Sequence, residues 1–214
     1  MTAAQLSRLL EAERALEAQA TRDPEAKLVV AHVGAWRDRL CDAIEALIAD
    51  GEAPSLGDAE ALNAVDHPAH LSSSWDQVNR SWAGSCDRLL GLARRLADDD
   101  LDRAPGWYSA ATLLEAVLRN SVTHPAAHLV QLYARPRTLE ALRRQVDPRL
   151  RLLRELDAPG SAQASAELNV AIHRALAGRR QEAQSHLDAA LRLRPELSAQ
   201  ARSESGLGGL VVTG

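Results

Sequence analysis

The residues of this 214-residue chain best suited to chemistry are its seven histidines: His32, His67, His70, His124, His128, His173 and His186. His124 and His128 are four positions apart. On a helix, four residues turn about 400°, so these imidazoles project about 40° from each other and about 6 Å apart along the axis, within reach of one ion. The zinc-protease helix is excluded, because Pro125 stands where that motif needs a glutamate as general base. His32 falls in the middle of an apolar helical stripe, where a histidine must find a hydrogen-bond partner or serve as a ligand; taken alone, the hydrogen-bonded core histidine is the commoner case. Three neutral histidines from two facing helices make a half-open site, with a position left for water or substrate, as in catalytic rather than structural metal centres. Asn120, one turn before His124, is in place to support a ligand, and Trp36, one turn after His32, to line the pocket.

The other reactive residue types carry weaker signals. His67 and His70, in His-Pro-Ala-His, can form or complete a site, but such a pair is more often a polar surface turn. His173 and His186 read as surface residues. Cys41 and Cys86 lie far from any CxxC pattern, and neither has a histidine in its own helical turn, so both read as inert buried thiols of a reducing cytoplasm.

The elements that must position these groups are helices. Aromatic residues make up only 3% of the chain and Phe is absent, which disfavours sheets and predicts an all-α protein. A first helix is expected over about Ala4 to Gln19, with Glu13 interrupting its apolar stripe. Asp23-Pro24 starts a second, with Leu28, Val29, His32, Val33, Trp36, Leu40, Ile44, Leu47 and Ile48 buried and Gly51 as its stop. Residues 51 to 70 read as a long connection, a crossover or a loop over a pocket. A third helix is expected from Ser72, Ser73 or Ser74 to about Ala97, then a turn to Trp107, and a fourth helix capped by Ser109 and running to Tyr133. Its stripe is Leu113 or Leu114, Val117, Leu118, Ser121, His124, His128 and Leu132; Trp36, Trp75, Trp82 and Trp107 all fit core positions. Pro125 either starts a new helix or kinks a continuous one, and the unbroken apolar phase favours the kink. Four such helices bury themselves most simply as a bundle, over residues 1–135.

Residues 136–214 read as a helical extension: two short pieces over Thr138–Val146 and Pro148–Leu156, a boundary at Ala158-Pro-Gly-Ser161, and a repeat over about 164–197. Within the repeat, Ala171, Gly178, Ala183, Leu187, Ala190 and Pro195 occupy the small-residue, turn and proline positions of one tetratricopeptide repeat, which resembles a helical hairpin of that type. A single repeat cannot bury its own faces, so it is expected to dock on Leu139–Leu156 and on a last helix over about Ser198–Leu210. The formal charge of −4 without basic runs speaks against nucleic acid as partner. No run approaches the roughly 20 apolar residues of a membrane span, and Met1–Leu10 lacks a secretory pattern, so a cytoplasmic chain is expected.

Leu28-Val-Val-Ala-His-Val-Gly-Ala-Trp36, Asp58-Ala-Glu-Ala-Leu-Asn63, Trp107-Tyr-Ser and Asn120-Ser-Val-Thr-His-Pro-Ala-Ala-His128 together resemble the DinB-like superfamily, closest to its ClbS/DfsB-type branch. The resemblance covers about residues 1 to 134, with HxxxW and HxxxH as its specific parts; Ala20–Lys27 is shorter than the family's customary loop. It implies a DinB-like four-helix bundle, often a homodimer, with a divalent ion, commonly nickel or zinc and in principle iron, on the histidines that match His32, His124 and His128. It also implies relatives that act on electrophilic small molecules, among them transferases and isomerases that use a low-molecular-weight thiol as cosubstrate. The competing reading is a noncatalytic stress or interaction protein, a dimeric bundle whose tail contacts a protein partner.

Overall fold

A computed structural model describes residues 1–50, 58–106, 110–204 and 206–210. Every regular element among the described residues is helical, and none of these helices is long and apolar enough to cross a membrane. They form two compact units, Thr2–Pro125 and Ala126–Gly214 with Met1. Gly51 as a helix stop, Trp107 as a core residue and Ser109 as a cap lie outside the described residues.

In the first unit, α1 (Ala3–Ala20) opens with a capping box between Thr2 and Gln5. Asp23 caps a 3₁₀ turn over Pro24–Ala26 that leads into α2 (Lys27–Asp50). α2 packs along α4 (Trp75–Ala93), which Ser74 caps with Gln77; α1 packs on α4 as well. The buried side of α2 is Val30, Val33, Trp36, Arg37, Leu40, Cys41, Ile44 and Leu47, whereas Leu28 and Ile48, expected inside, are exposed at its two ends. Trp82 is buried with Trp36, while Trp75, in the first turn of α4, is only half-buried.

The expected connection over residues 51–70 is corrected in its second half: Asp58 caps α3 (Ala59–Ser72), which contains Pro68 and packs on α2. Its Gly- and Pro-flanked sequence reads as a loop because α3 has no buried residue and hence no apolar stripe. Polar contacts hold it instead. Trp36 Nε1 donates to Asn63 Oδ1 at 2.9 Å, Arg39 grips Asp66 with two bonds of 2.7 and 2.8 Å, and Lys27 Nζ donates to the terminal carbonyls of Leu71 and Ser73.

The fourth long helix is described from Thr112, which caps α5 (Leu113–Leu118); a π-helical turn over Arg119–Thr123 and α6 (His124–Tyr133) follow without a break. The His124 N–H bonds the Arg119 carbonyl five residues back. That wider turn moves the preceding carbonyl out from under the ring of Pro125, which would clash with it in a regular α-helix. The extra residue also resets the buried stripe to Leu113, Val117, Ser121, Ala126 and Val130. His124, His128 and Leu132, expected in the core phase after Ser121, therefore flank that stripe and are half-buried.

Beneath α1 lies a buried polar cluster. Glu13, the interruption in the α1 stripe, is buried, and so is Glu17 one turn on. Both Glu17 oxygens accept from Arg37 Nη2 at 2.7 and 2.9 Å, and Trp82 Nε1 adds a third bond at 2.8 Å. Burial opposes the charge on Arg37, but the Glu17 carboxylate beside it holds its pKa above the ordinary value. Arg37 Nη1 also donates to Cys86 Sγ at 3.1 Å.

In the second unit, α7 (Leu139–Glu155) is one helix with Pro148 inside it, where two pieces were expected. The buried Arg149 guanidinium donates to the Gln145 carbonyl at 2.9 Å, supporting the ladder beside the bond that the proline removes. α7 packs on α8 (Gly160–Leu176), and α8 pairs with α9 (Arg180–Leu193) as a hairpin. Gly178 at φ +75° makes the turn, and Ala171, Ala183 and Ala190 are fully buried, so the helices approach closely. The last helix, α10 (Leu197–Ser203), ends well before the expected Leu210, although Leu207 and Leu210 are still buried in the turns beyond it.

Of the two histidines expected on the surface, His173 is buried and His186 is half-buried. His186 Nδ1 bonds the buried Glu167 carboxylate at 2.7 Å, which Arg154 also grips. His173 is 4% exposed, and its Nδ1 accepts from Arg174 at 2.6 Å, which leaves the ring proton on Nε2. Burial, reinforced by the Arg174 guanidinium, pushes this imidazole below the ordinary histidine range, while Asp147 pulls weakly the other way. The unfolded chain therefore binds this proton at a higher pH than the folded one. Stability is fully present above about pH 6.5 and falls as the pH drops towards the folded value. Urea midpoints measured between pH 7.5 and 5.5 should decline, and His173→Gln should flatten that decline.

Candidate metal centre

α2 and the segment after the π-turn bring together two histidines 92 positions apart. His32 Nε2 and His124 Nε2 stand 3.2 Å from each other, with the rings edge-on at a centroid distance of 5.1 Å. His128 joins them through the helix it shares with His124, one turn further along α6. One nitrogen from each of the three lies within 4.8 Å of the others, and all three side chains are half-buried. Two nitrogens bonded to one tetrahedral ion at about 2.1 Å would stand about 3.4 Å apart, so the observed spacing fits a common ion. The donor set fits too: imidazole nitrogens suit zinc, nickel and iron. Burial pushes His128 below the ordinary histidine range, against a hydrogen bond with Gln131, which favours the neutral, ligating form.

Trp36 is the hub around this cluster. Its ring meets His32 at 6.3 Å and His124 at 6.4 Å, both edge-on, and the Arg39 guanidinium lies 5.2 Å over its face. Its carbonyl accepts from Nδ2 of the buried Asn120 at 3.0 Å, which ties the π-turn to α2. Asn120 thus fixes the segment that carries His124, and it does so through the backbone at Trp36.

The two cysteines stand apart from this chemistry. Both are buried and free, and burial pushes each thiol up to about 12, so neither is a thiolate at neutral pH. His67, exposed, and His70, half-buried, both lie on α3 and belong to no ligand cluster among the described residues. What sequence reasoning missed is the polar face Asn63, Asp66 and His70. Its three- and four-residue steps are a helical signal, hidden because Pro68 and the preceding glycines read as loop.

No protein-family model, curated protein or solved structure matches the chain.

Proposed function

We propose that this chain is a divalent-metal-dependent enzyme of the DinB-like superfamily. It holds nickel or zinc on His32, His124 and His128 and acts on an electrophilic small molecule with a low-molecular-weight thiol, as an S-transferase or isomerase. The carrying observation is the convergence of three half-buried imidazole nitrogens within 4.8 Å, contributed by two helices far apart in sequence. The order α1, α2, α4 and α5 to α6, with α2 beside α4 and the π-turn beside α2, supports the four-helix reading, and the α8–α9 hairpin supports a single tetratricopeptide-like repeat in the extension. A homodimer belongs to the same reading.

A dication bound here would lower the pKa of a thiol in its open position and so supply a thiolate near neutral pH. The chain's own residues supply the rest. The three imidazoles supply the ligating nitrogens, Trp36 packs edge-on against the His32 and His124 rings, and the Asn120 bond to the Trp36 carbonyl ties the π-turn to α2. Burial keeps Cys41 and Cys86 as thiols, so in this reading the thiolate comes from the cosubstrate.

The test is elemental analysis of protein purified without chelator or affinity tag, followed by cobalt(II) loading and titration with 2-mercaptoethanol. About one nickel, zinc or iron per chain and a thiolate-to-cobalt absorption band are expected. A wild type that stays metal-free when challenged with each ion would sink the proposal.

A further inference from the structure

α3 has no buried residue, so it adds little to the core of the first unit. Ordering its backbone costs conformational entropy that apolar burial does not offset here. Among the polar contacts that hold it to α2, two converge on one residue. Asn63 Oδ1 accepts from Trp36 Nε1 at 2.9 Å. Asp66 binds Arg39 with two bonds of 2.7 and 2.8 Å, and the Arg39 guanidinium lies 5.2 Å over the ring of the same Trp36. A further contact, from Lys27 Nζ to the carbonyls of Leu71 and Ser73, holds the C-terminal end of α3 and does not involve Trp36.

Trp36 is 4% exposed, and its ring is where α3 and the three-histidine cluster meet. That ring stands edge-on to His32 at 6.3 Å and to His124 at 6.4 Å. The Asn120 bond to the Trp36 carbonyl fixes the backbone but leaves the two side-chain torsions of the indole to other contacts. The bond to Asn63 sets them, because the indole has a single N–H and it points in a fixed direction in the ring plane. A ring turned away from Asn63 would leave a buried donor unsatisfied and would shift the edges packed against both imidazoles.

We infer that Asn63 is a positioning residue of the metal centre: by orienting the Trp36 indole, it holds the His32 and His124 rings in the arrangement that binds the ion. This rests on the metal reading above and extends it to α3, whose own histidines lie outside the ligand cluster. Asn63 touches neither ion nor substrate and acts only through Trp36. Groups that lock metal ligands from behind are worth about 10–100-fold in affinity, and Asn63, one residue further back, falls at the lower end of that range.

The experiment titrates cobalt(II) into chelator-stripped wild type, Asn63→Leu, Asn63→Asp and Lys27→Met, reads the visible ligand-field bands, and records melting of the same proteins without metal. Asn63→Leu removes the acceptor at similar volume and is expected to bind cobalt about tenfold more weakly, with displaced bands. Asn63→Asp keeps an oxygen acceptor and is expected to restore the band positions. Lys27→Met loosens the far end of α3 and is expected to match wild type in both affinity and bands, which separates orientation of the indole from docking of the helix. Wild-type affinity and bands in Asn63→Leu overturn the inference. Equal weakening in Lys27→Met overturns it as well, since α3 would then act by docking alone, and so does an Asn63→Asp protein that behaves like Asn63→Leu. Loss of a cooperative melt in Asn63→Leu would make Asn63 a folding residue and has the same consequence. All of these leave the centre standing, whereas a wild type that takes up no cobalt removes the metal reading itself, and this inference with it.

Discussion

His124→Ala is expected to lower the affinity for nickel or zinc by roughly a hundredfold or more, with His32→Ala and His128→Ala in the same range. Structural zinc sites gain about 10–16 kcal/mol from four ligands, or roughly 3 kcal/mol per ligand, and 1.4 kcal/mol is a factor of ten. The same variants should lose the stabilisation that metal gives: at a hundredfold excess over the dissociation constant, the wild type gains about 2.7 kcal/mol. Competition titration against a chromophoric chelator measures the first effect, and denaturant unfolding with and without metal the second. His186→Ala, a histidine paired with Glu167 in the second unit, serves as the control and should change neither. The outcome separates two accounts of the 3.2 Å approach of His32 to His124. If they are only a hydrogen-bonded pair, His124→Ala costs about 1 kcal/mol in metal-free protein and added metal stabilises neither form.

The second large effect lies in the core, away from the histidines. Glu17→Met is expected to destabilise the protein by about 3–5 kcal/mol, because it leaves the Arg37 guanidinium buried without its counter-charge. Trp82 Nε1 loses its acceptor in the same change. Arg37→Met should cost a similar amount, by stranding the carboxylate. The two replacements together, Glu17→Met with Arg37→Met, should recover much of the loss, since neither charge is then buried alone. Urea unfolding of the four proteins forms a double-mutant cycle with a coupling of several kcal/mol. Additive losses would mean that the cluster contributes packing only.

How much of this could be read in advance differs from helix to helix. α1, α2 and α4 were legible because their signals are local: the Ser74 and Gln77 box, the Asp23-Pro24 start and the apolar steps of three and four all act within one or two turns. α3 was not, since a helix held by polar contacts to a neighbour carries no apolar stripe. The His124 and His128 pair was visible as a spacing, but its assigned place in the core phase was wrong. The π-turn inserts a residue into the register that periodicity counting takes as regular.

By itself, then, the sequence determined an all-helical chain, most of the helix starts, the close α8–α9 hairpin and the three histidines worth testing, since propensity, capping and short spacings depend only on near neighbours along the chain. Only the tertiary structure decided that His32 meets His124 rather than a core partner, that Arg37 lies inside against Glu17, and that α3 turns Asn63 and Asp66 towards α2. Those are contacts between residues up to 92 positions apart. They depend on helix packing and on where a buried charge or imidazole finds its partner, which no periodicity records.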